Sequence, residues 1–157
     1  MKKTGSVILL LPLLRHALCH LTIGFALFSL LAAPIALAGF EEGRTAYYKE
    51  DYPKALREFR PLAQKGDASA QYNLGLMYAN GQGVTQDYQE ALKWYRLAAA
   101  QRYAAAQFLL GEMYINGKGV AQSDQEAFKW FRLAADQGNG DSQSVLGTMY
   151  RDVQGER

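Results

Sequence analysis

The apolar positions of this chain change their spacing once. From Leu21 to Ala38 they run almost unbroken, as "LTIGFALFSLLAAPIALA". Further along they recur at intervals of three and four, which predicts amphipathic helices. Ala70, Leu74, Met77 and Tyr78 share one face of a helix over about 68–79. Ala91, Leu92, Tyr95, Ala98 and Ala99 form the inner stripe of a second helix over about 88–101. Asp67 stands where its carboxylate can cap the first helix. Ser123-Asp124-Gln125-Glu126 has the form of a capping box, and Asp87-Tyr88-Gln89-Glu90 is a variant of it. Between the two helices lies "NGQGV". Gly81 suits the left-handed end of a helix, Gly83 allows the reversal, and Val84 supplies apolar bulk to tuck under the next helix.

The whole pattern repeats. Residues 67–102 and 103–138 align without a gap, each 36 long, with 22 identities. A third copy starts in register at Asn139, where Gln143, Leu146, Gly147, Met149 and Tyr150 follow Gln107, Leu110, Gly111, Met113 and Tyr114. Backwards, Asp51, Tyr52, Ala55, Leu56, Arg60 and Ala63 precede their counterparts by the same interval. One helix pair cannot bury such faces alone, whereas stacked pairs can. Gly75, Gly111 and Gly147 sit inside the first helices, where glycine costs about 1 kcal/mol relative to alanine. A cost repeated at one phase predicts close helix approach, with Trp94, Tyr95, Trp130 and Phe131 filling the space between units. Pro61 replaces Leu97 and Leu133 of the later units and should kink or shorten its helix. Pro53 falls in a first turn, where proline is tolerated.

The residues "AQYNLGLMYANGQGV" and "EALKWYRLAAA" make the chain resemble the Sel1-like repeat family, relatives of the tetratricopeptide repeat with a longer turn between helices. The resemblance covers Ala68 to Gly138 and continues through Tyr150. The segment 39–66 looks more like a plain tetratricopeptide helix pair, since "YKEDYPKAL" has no glycine insert. The resemblance implies an all-α, right-handed solenoid whose concave face binds proteins or peptides, often in exported envelope proteins. Its units would be 39–66, 67–102, 103–138 and a partial repeat at 139–157. Certain cysteine-rich relatives are described as penicillin-binding or β-lactam-hydrolysing. They carry paired cysteines in each repeat, and this chain does not.

The first 38 residues contain Lys2, Lys3 and Arg15 but no Asp or Glu, and end in Ala36-Leu37-Ala38. A positive start, an apolar run and a small-x-small end predict a secretory signal peptide cut before Gly39. The alternative is a retained inner-membrane anchor, since 21–38 is just long enough to span a bilayer. Cys19 follows His16-Ala17-Leu18, which is not a lipoprotein context. Cleavage leaves 119 residues destined for the periplasm or the exterior. Of the 17 basic residues, 14 remain against 15 acidic ones, so no basic field favours nucleic acid. His16, His20 and Cys19 all leave with the leader. The remaining chain cannot form a Ser-His-Asp or Cys-His nucleophile system, a His or Cys zinc site, or a disulfide. No cofactor is expected.

Three candidate chemistries remain. Gly81-Gln82-Gly83 matches the spacing of neither a P-loop nor a dinucleotide fingerprint, and no strand precedes it. It reads as a joint. Glu41, Glu42, Glu50 and Asp51 form an acidic cluster outside the helix caps, as a solvated face would. The third is a ligand groove. In tetratricopeptide-like geometry the inner face would take Tyr48, then Tyr72, Leu76 and Asn80, then Phe108, Glu112, Ile115 and Asn116. These groups suit an extended or helical peptide. Tyr72 and Phe108 are equally suited to the core between repeats.

The expectation is a non-enzymatic interaction module or adaptor of the cell envelope that holds a protein or peptide. The alternatives are a cell-wall or β-lactam hydrolase and a membrane-anchored assembly or signalling regulator. The third repeat stops before its second helix, so apolar surface at Phe131 and Leu133 must be covered. Either the helix over 139–150 is the cap, or a partner or a second copy covers that end. Val153 stands where Gly81 and Gly117 make the turn, and a β-branched residue resists that conformation.

Overall fold

The computed structural model describes residues 38–155, and the side chains within them as far as Arg151. The expectations for the leader, including Cys19, His16 and His20, lie outside the described residues. Gly39–Arg157 makes one compact unit, distinct from Met1–Ala38. Among the described residues there are seven helices and no strand. They are α1 (38–48), α2 (Tyr52–Gln64), α3 (Ala68–Asn80), α4 (Tyr88–Ala100), α5 (Ala104–Asn116), α6 (Asp124–Ala135) and α7 (Gly140–Gly155). From α2 onward each helix packs on the next in sequence, as in a solenoid of stacked helix pairs.

The helix starts follow their caps. Asp67 accepts from the Ala70 amide at 2.7 Å, and Asp87 from those of Gln89 and Glu90 at 2.9 and 3.1 Å. Ser123 accepts from the Glu126 amide at 3.2 Å. At α5 the position is Tyr103, which makes no capping bond but lays its ring 5.2 Å from Tyr72. The helix ends follow glycine: Gly81 and Gly117 close α3 and α5 at φ +70 and +62.

The glycines inside helices are seats for rings. A Cβ on Gly75 would lie 2.5 Å from the Tyr95 ring, and one on Gly111 equally close to Phe131. In the first pair Gly43 stands 2.7 Å from Phe59 in the same sense. Each of these rings also meets the aromatic residue one helical turn before its glycine: Phe40–Phe59, Tyr72–Tyr95 and Phe108–Phe131, with centroids 5.6, 6.3 and 5.7 Å apart. Tyr95 and Phe131 therefore fill a notch inside their own unit as well as packing toward the next. The tryptophans are the rings that reach backward. Trp94 packs on the cluster built from α1, α2 and α3, and Trp130 on the one built from α4 and α5.

A buried polar ladder runs beside these rings. Gln71, 4% exposed, donates to the Ala63 carbonyl and accepts from Gln101. Gln107 repeats both bonds one unit later, to Ala99 and from Gln137. Each amide thus joins its own unit to the one before, and satisfied buried amides fix register between apolar surfaces.

Two expectations change. Pro61 does not shorten α2, which has the same 13 residues as α4; its ring lies on the exposed side. Leu133 is 47% exposed, but so is Leu97 at 44%, so its exposure belongs to the repeat and not to the end. Phe131 is covered by α7, in a cluster with Leu146, Val145 and Met149.

Candidate functional site

Helices α3 and α5, one from each full repeat, face one another across an opening. Between their carboxyl-terminal halves lies a groove of about 260 Å³. Its apolar walls are Leu76 and Ala79 from α3 and Leu109 and Met113 from α5. Asn80, Glu112 and Asn116 bring polar groups to the same groove, all three exposed. Tyr88 and Tyr95 of α4 line it too, and Gln86 and Lys118 come from the two interhelix loops.

Four of the eight residues expected on the inner face thus meet in one place: Leu76, Asn80, Glu112 and Asn116. The other four do not line the groove. Tyr72 is half-buried between Tyr95 and Tyr103. Phe108 and Ile115 pack on the cluster around Phe131. Tyr48 is 76% exposed at the end of α1, with its ring edge-on to Tyr47.

Sequence periodicity missed Tyr95, Tyr88 and Lys118 as groove residues. For Tyr95 a signal existed. Its register holds Phe59 and Phe131 in the neighbouring units, so only here does the buried ring carry a hydroxyl. Tyr95 is 2% exposed, yet its hydroxyl makes no hydrogen bond to any described residue. Burial is the main reason that this phenol holds its proton well above the ordinary range. The neighbouring Tyr72 and Tyr47 hydroxyls and the Glu112 carboxylate push the same way. Tyr72 is raised as well, chiefly by burial.

The polar rim is partly engaged. Asn116 donates to the Glu112 carbonyl at 2.8 Å, and its side-chain oxygen accepts no bond from a described residue. Gln86 donates to the Ala79 carbonyl and to the Tyr88 hydroxyl. Lys118 holds its ammonium 5.6 Å from the centre of the Tyr88 ring. Such a groove has donors, acceptors and apolar floor, as a peptide site needs. No group of His, Cys, Asp and Glu among the described residues could hold a metal ion. No described helix is long and apolar enough to cross a membrane.

Comparison with known proteins places these observations. The sequence model of the Sel1 repeat matches residues 68–103 and 104–139. A protective antigen of uropathogenic Escherichia coli strains that displays an SLR fold is 42% identical, with a TM-score of 0.71. The similarity covers 74% of this chain and 26% of the antigen, so the chain spans about a quarter of that protein's length. A Sel1 repeat protein from Oxalobacter formigenes is 34% identical over 79% of this chain and 96% of its own, with a TM-score of 0.67. Helicobacter pylori cysteine rich protein B is 25% identical over 59% of this chain and 70% of its own, with a TM-score of 0.57. The chain shares the repeat with that protein but has a single cysteine, Cys19. No curated protein matches the sequence.

Proposed function

The chain belongs to the Sel1 repeat family, and on that premise we propose that it holds a protein or peptide partner in the groove between α3 and α5, with no chemistry of its own. The family is commonly a protein-interaction scaffold. The observation that carries the finer reading is the convergence of Leu76, Asn80, Glu112 and Asn116 on one groove. Three of the four are exposed, so selection for a folded core does not account for them.

The place of work in this proposal is the cell envelope or the exterior. The positive start, the apolar run and the Ala36-Leu37-Ala38 end support export. The compact unit also begins at Gly39, the residue after that junction. Mass spectrometry of the protein recovered from cells should find Gly39 as its amino terminus. An intact residue 1 would instead make it a protein anchored through 21–38. In α7, Ser144, Thr148 and Arg151 stand where α5 has Phe108, Glu112 and Ile115. Ser144 and Thr148 bond carbonyls of their own helix, at 3.0 and 3.2 Å. These polar groups favour a solvated face over self-association on that side of α7.

A photo-crosslinking residue placed at Asn80 or Asn116 tests the binding face. Adducts should form in cells from these positions and not from Lys93 or Lys129, which are exposed on α4 and α6. Adducts from the control positions alone would move the partner to the other face.

A further inference from the structure

The groove has an electrical sense that its apolar walls do not reveal. Helices α3 and α5 both end beside it, at Asn80 and Asn116, and bring the negative ends of two helix dipoles there, while α4 starts beside it at Tyr88 with its positive end capped by the Asp87 carboxylate. The Glu112 carboxylate adds a full negative charge from within the lining, and its only lysine of the three units at this rim, Lys118, is drawn onto the Tyr88 ring. In the corresponding positions α3 has Leu76 and α7 has Thr148, so this charge is specific to one unit.

A second observation points to the same spot. Tyr95 is almost wholly buried, lines the groove, and bonds to no described residue through its hydroxyl. Phe59 and Phe131 do the packing work of this ring without an oxygen. Unlike Trp94 Nε1 and Ser142 Oγ, this oxygen is not fully enclosed, so it is free to accept a bond from a group in the groove.

Resting on the groove as the binding face, we propose that it recognises an arginine side chain of the partner, with the guanidinium between Glu112 and the Tyr95 hydroxyl. The planar fork of five N–H donors suits several acceptors at once, and Glu112, Tyr95 and the Asn80 side-chain oxygen are acceptors. The aliphatic stem lies along Leu76, Leu109 and Met113, as long cationic side chains do on apolar surface. Lys118 disfavours the cation and so limits affinity.

The test uses the ¹⁵N-labelled protein and two tripeptides, acetyl-Gly-Arg-Gly-amide and its citrulline counterpart, which has the same shape without the charge. The arginine peptide should shift the amides of 76–80 and 109–118 saturably and bind about fivefold more tightly than the citrulline peptide. Glu112→Gln should erase that difference. Tyr95→Phe should weaken the arginine peptide about threefold while the melting temperature holds. Lys118→Met should tighten it. Equal binding of both peptides in the groove, or indifference to Glu112→Gln, overturns the arginine proposal and leaves the groove as the binding face. Absence of groove shifts with either peptide overturns both.

Discussion

Gly111 and Gly147 occupy the same place in successive repeats and live in opposite surroundings. A Cβ on Gly111 would stand 2.5 Å from the Phe131 ring, while one on Gly147 would meet nothing within 4 Å. The first glycine is needed because α6 lies on it; the second has no helix above it. The same contrast holds for the amides. Gln107 is buried and bonded on both sides, whereas Gln143 is exposed and makes only the backward bond, to Ala135 at 3.3 Å. Residues that hold the inner units together thus stand at the same positions of α7 without the same contacts among the described residues. Identity at a repeat position does not give identity of role.

Substitution should separate the two regions. Gly111→Ala forces the ring or the helix to move and should cost about 2–3 kcal/mol, read by urea unfolding. Gly147→Ala should instead stabilise by about 1 kcal/mol through helix propensity. If both destabilise alike, the terminal glycine has a contact that the open space denies. Gln107→Leu removes one bond each from the Ala99 carbonyl, which keeps the Arg102 amide, and from the Gln137 amide, which keeps the Leu133 carbonyl, and should cost about 1 kcal/mol. Gln143→Leu should change stability by less than about 0.5 kcal/mol.

Ser142 sharpens the comparison from the other side. It is fully buried, its hydroxyl has no partner among the described residues, and alanine fills its place at Ala70 and Ala106. Ser142→Ala should raise stability by about 1 kcal/mol, measured in the same unfolding series. A loss would mean that the hydroxyl is bonded after all.

The smallest effect at neutral pH concerns Tyr95. Its folded-state proton is held above the phenol range near 10.0. The unfolded chain therefore loses this proton first as pH rises, and the folded state binds more protons there. Stability from this group is complete below pH 10 and should fall above it by up to about 1.4 kcal/mol per pH unit. Tyr72 adds in the same direction. Tyr95→Phe should flatten part of that alkaline slope.

The helices α3 to α6 were legible because a gap-free period superimposes their apolar stripes, caps and glycines. The first pair was legible only in its second helix. Its interhelix turn covers 49–51 where the next unit uses 81–87, four residues more. A fixed interval therefore pairs Gly75 with Gly39, while the glycine that seats a ring is Gly43. In the groove, register gave the lining positions Leu76, Asn80, Glu112 and Asn116. It could not assign Tyr72 and Phe108, because a ring on the inner stripe satisfies the pattern whether it faces a ligand or a neighbouring ring. It missed Tyr95 because periodicity reads a residue as core or surface, and this residue is buried in the core yet also lines the groove.

The decisive measurement is partner capture by the doubly substituted Asn80→Ala, Glu112→Ala protein beside its melting temperature. Both side chains are exposed, so the melting temperature should stay within about 2 °C of the parent. Crosslinked adducts, recorded from a photo-reactive residue at Asn116, should fall by at least about tenfold. Undiminished adduct formation with a folded protein would contradict the groove as the binding face.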